Sequence, residues 1–214
     1  MSASLLARWR TLAGEGADAL GLALIAAWEE PHRHYHTTSH LIWLLGEADR
    51  RAPLISNRAF VGYAIWFHDA IYVIGGPGAD GAAQPDNEAR SAAWARDAIA
   101  DKMLGERVGR VIEMTKRHHE GEADGDAALF LDMDMAVIGE PWEAYCAYAA
   151  AIRREFSAYN DGSFAAGRGR WLEQQLQRQR TFRTDVYEAE RGEQARANMR
   201  WECEEMRRGR MVKG

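Results

Sequence analysis

His68 and Asp69 stand side by side in the run AFVGYAIWFHDAIYVI, where every other residue from Ala59 to Ile74 is apolar, glycine or tyrosine. A carboxylate in such a run is costly to bury unless it is paired or bound to a metal. Candidate partners lie upstream in Tyr35-His36-Thr37-Thr38-Ser39-His40 and downstream in His118-His119 and Leu131-Asp132-Met133-Asp134. His and Asp residues, each set in an apolar segment, point to a metal site in a helical core.

Spacing narrows the candidates. His36 and His40 are four apart and would share one face of a helix, although one core His beside one surface His would look the same. Thr115, His118 and His119 continue the face begun by Val108, Val111 and Ile112, but two histidines at a helix end can also simply meet its dipole. Glu88 and Ser91 share an inner face with Ala92, Ala95 and Ile99, and a first-turn Glu is also favoured by the dipole alone. Asp132 and Asp134 point in different directions on a helix, so at most one reaches a given ion. Phe130, Leu131, Val137 and Ile138 surround Asp134, a heavier apolar set than that around Asp132. Asp134 is therefore expected to be the better buried, with Asp132 capping, pairing with Arg or facing solvent.

The elements that must position these groups read as helices, with strand signals scarce. The expected spans are Met1–Ala13, Ala17–Glu30, His34 or Tyr35 to Arg50, and Ser56–Val73 with Ser56 as N-cap. Asp86–Met103, Gly105–His119 and Ala127–Ile138 follow. Trp142–Tyr159, Phe164–Arg180 and Asp185–Arg208 close the chain. Gly75 to Gly81 reads as a loop and lacks the Gly-Lys-Ser/Thr ending of a phosphate-binding loop. No repeat or composition shift divides the sequence, so one all-α domain over 1–214 is expected, with the metal-site core at about 34–138 and closing helices at about 142–208.

The chain has 214 residues, 47% hydrophobic, with a net charge of -5, enough to bury a sizeable core and without the basic excess that binding a nucleic-acid polymer needs. Cys146 and Cys203 form no metal-binding or disulfide pattern and suit a reducing compartment. No stretch reaches the ~20 apolar residues of a membrane span. The opening residues lack a signal peptide's layout. A soluble cytoplasmic protein with no membrane partner is expected.

His40, His68-Asp69 and the distant Asp134 resemble the His…His-Asp…Asp signature of the HD superfamily of metal-dependent phosphohydrolases. Tyr35 to His40, Trp66 to Tyr72, Asp86 to Ala92, Leu131 to Asp134 and Gly167-Arg168 together resemble a bacterial group of predicted HD phosphohydrolases. The match spans most of the chain. The resemblance implies a helical bundle in which His40, His68, Asp69 and Asp134 hold a divalent ion. Tyr35-His36-x-x-x-His40 is also similar to the opening motif of cyclic nucleotide phosphodiesterases, which implies that His36 is a general acid. No purine-clamping glutamine segment is evident.

Imidazole and carboxylate ligands suit manganese, iron, cobalt, nickel or zinc, with magnesium at a carboxylate-rich second site. Glu88 and His119 are further catalytic candidates. His118, Asp132 and Thr115 are candidates for a second metal or for substrate. Arg168 and Arg153 head the phosphate-binding candidates, ahead of Arg154 and Arg170. The expectation is a phosphohydrolase acting on a small phosphorylated compound such as a nucleotide, with the oligomeric state open and a homodimer one option. The alternatives are a non-catalytic metal or nucleotide sensor and a di-iron oxygenase using His118 or His119.

Overall fold

Capping side chains mark most of the helix N-termini. The computed structural model describes residues 2–75 and 86–210. Most of the expected glycine loop, 76–81, lies outside the described residues. Among the described residues there are ten α-helices and no strand. They are α1 (Ser2–Ala13), α2 (Asp18–Trp28), α3 (Thr38–Arg50), α4 (Arg58–Phe67), α5 (Asn87–Ala98), α6 (Lys102–Thr115), α7 (Gly125–Met135), α8 (Trp142–Glu155), α9 (Asp161–Leu176) and α10 (Asp185–Arg207). The all-α expectation holds.

The chain forms two compact units. The first takes in α1 to α6 and α7 as far as Met133; the second takes in Asp134 and α8 to α10. The division falls inside α7, so Asp134 is described with the helix that carries it.

In the first unit, Trp9, Trp28, Trp66, Phe60, Phe67 and Phe130 are fully buried. The Trp28 indole N–H donates to the Trp66 carbonyl (3.1 Å), and Trp9 donates to the Ala17 carbonyl (2.8 Å). Trp9 lies so close to α2 that a Cβ at Gly21 would sit 2.3 Å from its ring. Only glycine permits that approach.

Several boundaries differ from expectation, each for a local reason. Asn57, not Ser56, caps α4, because its side chain accepts the Phe60 N–H while the Ser56 and Asn57 N–H groups donate to Asp126. Helix α3 starts at Thr38, with Thr37 as its cap accepting the Ser39 N–H, so His36 lies in the turn before it. The break between α5 and α6 falls at 99–101, where Asp101 accepts the Met103 and Leu104 N–H groups. Helix α4 stops at Phe67 rather than continuing to Val73. The residues beyond it, Ile71-Tyr72-Val73-Ile74, are β-branched or aromatic and fit an extended backbone better than a helix.

In the second unit, α10 packs on α9 and on the single 3-10 turn Ala136–Gly139. Buried Asn198 donates to the Ile138 and Glu140 carbonyls and ties that turn down.

Candidate metal centre

Three elements converge on one point. Helix α3 brings His40, the end of α4 brings His68 and Asp69, and α7 brings Asp134. One ligand-type atom from each of the four lies within 4.8 Å of every other. His40 and His68 are buried, at 4% and 0% exposure. Asp69 and Asp134 are half-buried, which leaves the cluster open on the carboxylate side.

The orientation of His68 follows from one contact. Its Nδ1 lies 3.0 Å from the Ile65 carbonyl. A carbonyl can only accept, so Nδ1 carries the proton, and Nε2 is the atom left to present a lone pair when the ring is neutral. That Nε2 lies 3.0 Å from Asp69 Oδ2. Two acceptors converging at this distance fit a shared cation, and a backbone carbonyl behind the other ring nitrogen is the usual way a metal-binding imidazole is held. Aromatic rings fix both imidazoles from the sides. Trp28 and Phe130 lie 5.4 and 5.6 Å from the His68 ring, and Tyr35 lies 4.8 Å from His40. Trp43 is stacked on His40 at 14°. Two imidazoles and two carboxylates form a donor set suited to a divalent transition ion.

Asp69 owes its place to a ribbon, residues 69–73, that leaves the end of α4. Arg33, whose side chain is fully buried, donates to the Asp69 carbonyl (2.6 Å), the His36 carbonyl (3.2 Å) and the Ala70 carbonyl (3.2 Å). Its charge is balanced by Glu30 at 2.9 Å, and its guanidinium lies over Trp28 and Tyr72. On the α5 side, Ser91 and Asn87 bond to the backbone of Ile71 and Val73. Sequence reasoning gave Arg33 no role, because nothing in its type or spacing sets it apart from the other arginines.

His36 stands beside the cluster and outside the four-residue set. Its Nε2 is 3.9 Å from Asp69 Oδ2, and its ring stacks on Tyr72 at 4.1 Å. The shared-face argument for His36 and His40 fails, since His36 is not helical, yet their rings lie 6.0 Å apart. Glu88 is half-buried. Burial pushes its carboxyl up from the ordinary value, and the Asp69 charge adds to the rise while Lys116 opposes it.

The two aspartates reverse the expected order of burial. Asp132 is the buried one, at 2% exposure, and faces neither solvent nor a capping position. Asp134 is half-buried and is the one in the cluster. Counting apolar neighbours along the helix misjudged burial because α7 is enclosed on nearly all sides, from Ala127 to Met135.

The remaining candidates fall outside the four-residue set. The Thr115 hydroxyl donates to the Ile112 carbonyl of its own helix at 2.7 Å. His118 and His119 lie half-buried in the turn after α6, which ends at Thr115. Neither belongs to the four-residue set. Arg168 is engaged within the second unit. It grips Glu202 with Nε and Nη2 (3.0 and 3.1 Å) and donates to the Tyr148 hydroxyl at 3.1 Å, against Trp171. Arg153 clamps α8 to α9 through Asp161 and the Phe156 and Tyr159 carbonyls. Both forks expected to bind phosphate are filled by the protein itself. Arg154 and Arg170 are exposed. No helix among the described residues is long and apolar enough to cross a membrane. Against family models, curated proteins and solved structures the chain finds no match, so the site must be read from its own residues.

Proposed function

We propose that the protein is a metal-dependent phosphohydrolase of the HD type, acting on a small phosphorylated compound such as a nucleotide. The observation that carries this reading is the convergence of His40, His68, Asp69 and Asp134 within 4.8 Å of one another. Those four residues would hold the ion. A divalent ion lowers the pKa of its bound water toward ~7 and polarises a phosphoryl oxygen.

The chain's own contribution is orientation and proton transfer. The Ile65 carbonyl keeps the His68 lone pair turned toward Asp69. Arg33 fixes the backbone on both sides of the site, at His36 and at Asp69. His36 Nε2, held by Tyr72 beside Asp69, is placed to give a proton to a leaving oxygen. Glu88, with its raised carboxyl, is a second proton-handling group. With Arg153 and Arg168 bonded to protein partners, the phosphate charge would be met at the metal cluster.

Elemental analysis of the purified chain, followed by a phosphatase and phosphodiesterase panel with added manganese, cobalt or nickel, tests this reading. Wild type should retain a divalent ion and hydrolyse at least one phosphoester, and Asp69→Ala should do neither. Full metal occupancy in Asp69→Ala, or no metal-dependent turnover by wild type, would overturn it.

A further inference from the structure

The ribbon from Asp69 to Val73 leaves α4 through a turn and a bend, and side chains supply partners for its backbone. On one side the Ile71 N–H donates to the Ser91 hydroxyl (3.0 Å), which returns a bond to the Ile71 carbonyl (3.3 Å). Two residues on, the Val73 N–H donates to Asn87 Oδ1 (3.1 Å) and Asn87 Nδ2 donates to the Val73 carbonyl (2.9 Å). On the other side, the Ala70 carbonyl accepts from Arg33 and the Tyr72 carbonyl lies 2.6 Å from His32 Nε2. On the α5 side the bonded residues, Ile71 and Val73, are two apart; on the other side Arg33 holds the successive Asp69 and Ala70 carbonyls and His32 meets that of Tyr72.

A helix can do this because two lengths agree. Four residues of α-helix, Asn87 to Ser91, rise about 6 Å. Two residues of chain, as from Ile71 to Val73, advance at most about 6.6 Å. Side chains four apart on α5 therefore meet backbone groups two apart on the ribbon. Each satisfies one N–H and one carbonyl, and buried backbone groups left without partners are costly. Asp86 caps α5 by accepting the Ala89 N–H and pairs with Lys116 at 2.6 Å, which fixes the turn that carries Asn87.

We propose that Ser91 and Asn87 are positioning residues for the metal centre: they fix the ribbon whose first residue is the ligand Asp69 and whose Tyr72 ring stacks on His36. The proposal rests on the metal reading above. It also gives the segment Asp86-Asn87-Glu88-x-x-Ser91 a division of labour. Asp86 caps, Asn87 and Ser91 hold the ribbon, and Glu88 faces the field of Asp69.

Calorimetric titration of the full chain with Mn²⁺ tests it, together with amide exchange at Ile71 and Val73. Ser91→Ala and Asn87→Ala should each speed exchange at those amides and weaken Mn²⁺ binding by about 10–100-fold, the usual effect of removing a group that orients a ligand. Ala95→Gly, at a buried position of the same helix away from the ribbon, should leave the affinity unchanged. Wild-type affinity in both ribbon variants would overturn the proposal, as would an equal loss in Ala95→Gly, which would make the effect a general loosening of α5. Should Ser91→Ala fail to fold, Asn87→Ala at its half-buried position decides alone. Absence of Mn²⁺ binding by wild type would instead defeat the metal reading and carry this proposal down with it.

Discussion

Arg33 joins the two sides of the site, and its removal should show how far metal affinity depends on backbone placement. Its side chain is fully buried and donates to three carbonyls, those of His36, Asp69 and Ala70. Arg33→Met keeps much of the aliphatic bulk and removes every one of these bonds. Glu30, the counter-ion, is 44% exposed and can be rehydrated, so its orphaning adds little. The cost falls on the carbonyls. A buried acceptor left unsatisfied costs ~1–3 kcal/mol, and taking the low end for each, because the ribbon can shift, gives about 3 kcal/mol. For a chain of this size, 1 kcal/mol corresponds to ~2–4 °C, so the melting temperature should fall by about 6–12 °C.

The same bonds set the position of Asp69. Mn²⁺ affinity of Arg33→Met should therefore drop by about 10–100-fold. Arg33→Lys should fall between wild type and Arg33→Met in both measurements, since an ammonium cannot span the three carbonyls as a planar fork does. Thermal denaturation of chelator-treated protein and titration with Mn²⁺ provide the two readings. A melting temperature within about 2 °C of wild type would refute the energetic argument. A large thermal loss with unchanged affinity would refute the orienting role and leave Arg33 as a purely structural clamp.

Three further outcomes are expected. His36→Asn should retain bound metal while hydrolysis falls by a factor on the order of 10²–10⁴, and metal loss in that variant would make His36 a ligand rather than an acid. Asp134→Asn should lose most Mn²⁺ affinity and Asp132→Asn should keep it, and the opposite pattern in paired titrations would show that the wrong carboxylate has been chosen. Glu88 carries a pH signature. Burial holds its carboxyl above the ordinary value of 4.5, so the folded state keeps a proton that the unfolded chain releases. Its contribution is full below that value and is lost as pH rises through the raised one. Glu88→Gln in chelator-treated protein should match wild type near pH 4 and exceed it near pH 7, whereas equal denaturation midpoints at both pH values would count against a raised Glu88.

What was legible in the sequence was residue type against background. His40, His68 and Asp69 stand out because each is a polar residue in an apolar segment, and the structure brings them together with Asp134. Helix existence was legible from apolar periodicity, and Asp86 opens its helix as expected, whereas the caps Thr37, Asn57 and Asn160 were not singled out. What stayed hidden was the use of side chains as backbone partners. Nothing in the identity of Arg33, Ser91 or Asn87 announces that each will hold carbonyls of a ribbon distant in sequence. Arg168 misled for a related reason. Its fork suits a phosphate and a carboxylate alike, and only the fold reveals that buried Glu202 occupies it.

Asp134 was picked out by an argument whose premise failed. A count of apolar helical neighbours ranks burial only where one side of a helix faces water. Helix α7 has almost no such side: Leu129, Phe130, Leu131, Met133 and Met135 are all buried. In that setting the informative quantity is the remaining access, and Asp134 keeps some while Asp132 keeps almost none. A ligand to a metal that must also take water and substrate needs one side toward an opening. The partial exposure of Asp69 and Asp134, beside the buried His40 and His68, would provide that opening. Burial and access therefore order the two aspartates in opposite ways, and it is the accessible Asp134 that lies in the His40, His68, Asp69 cluster.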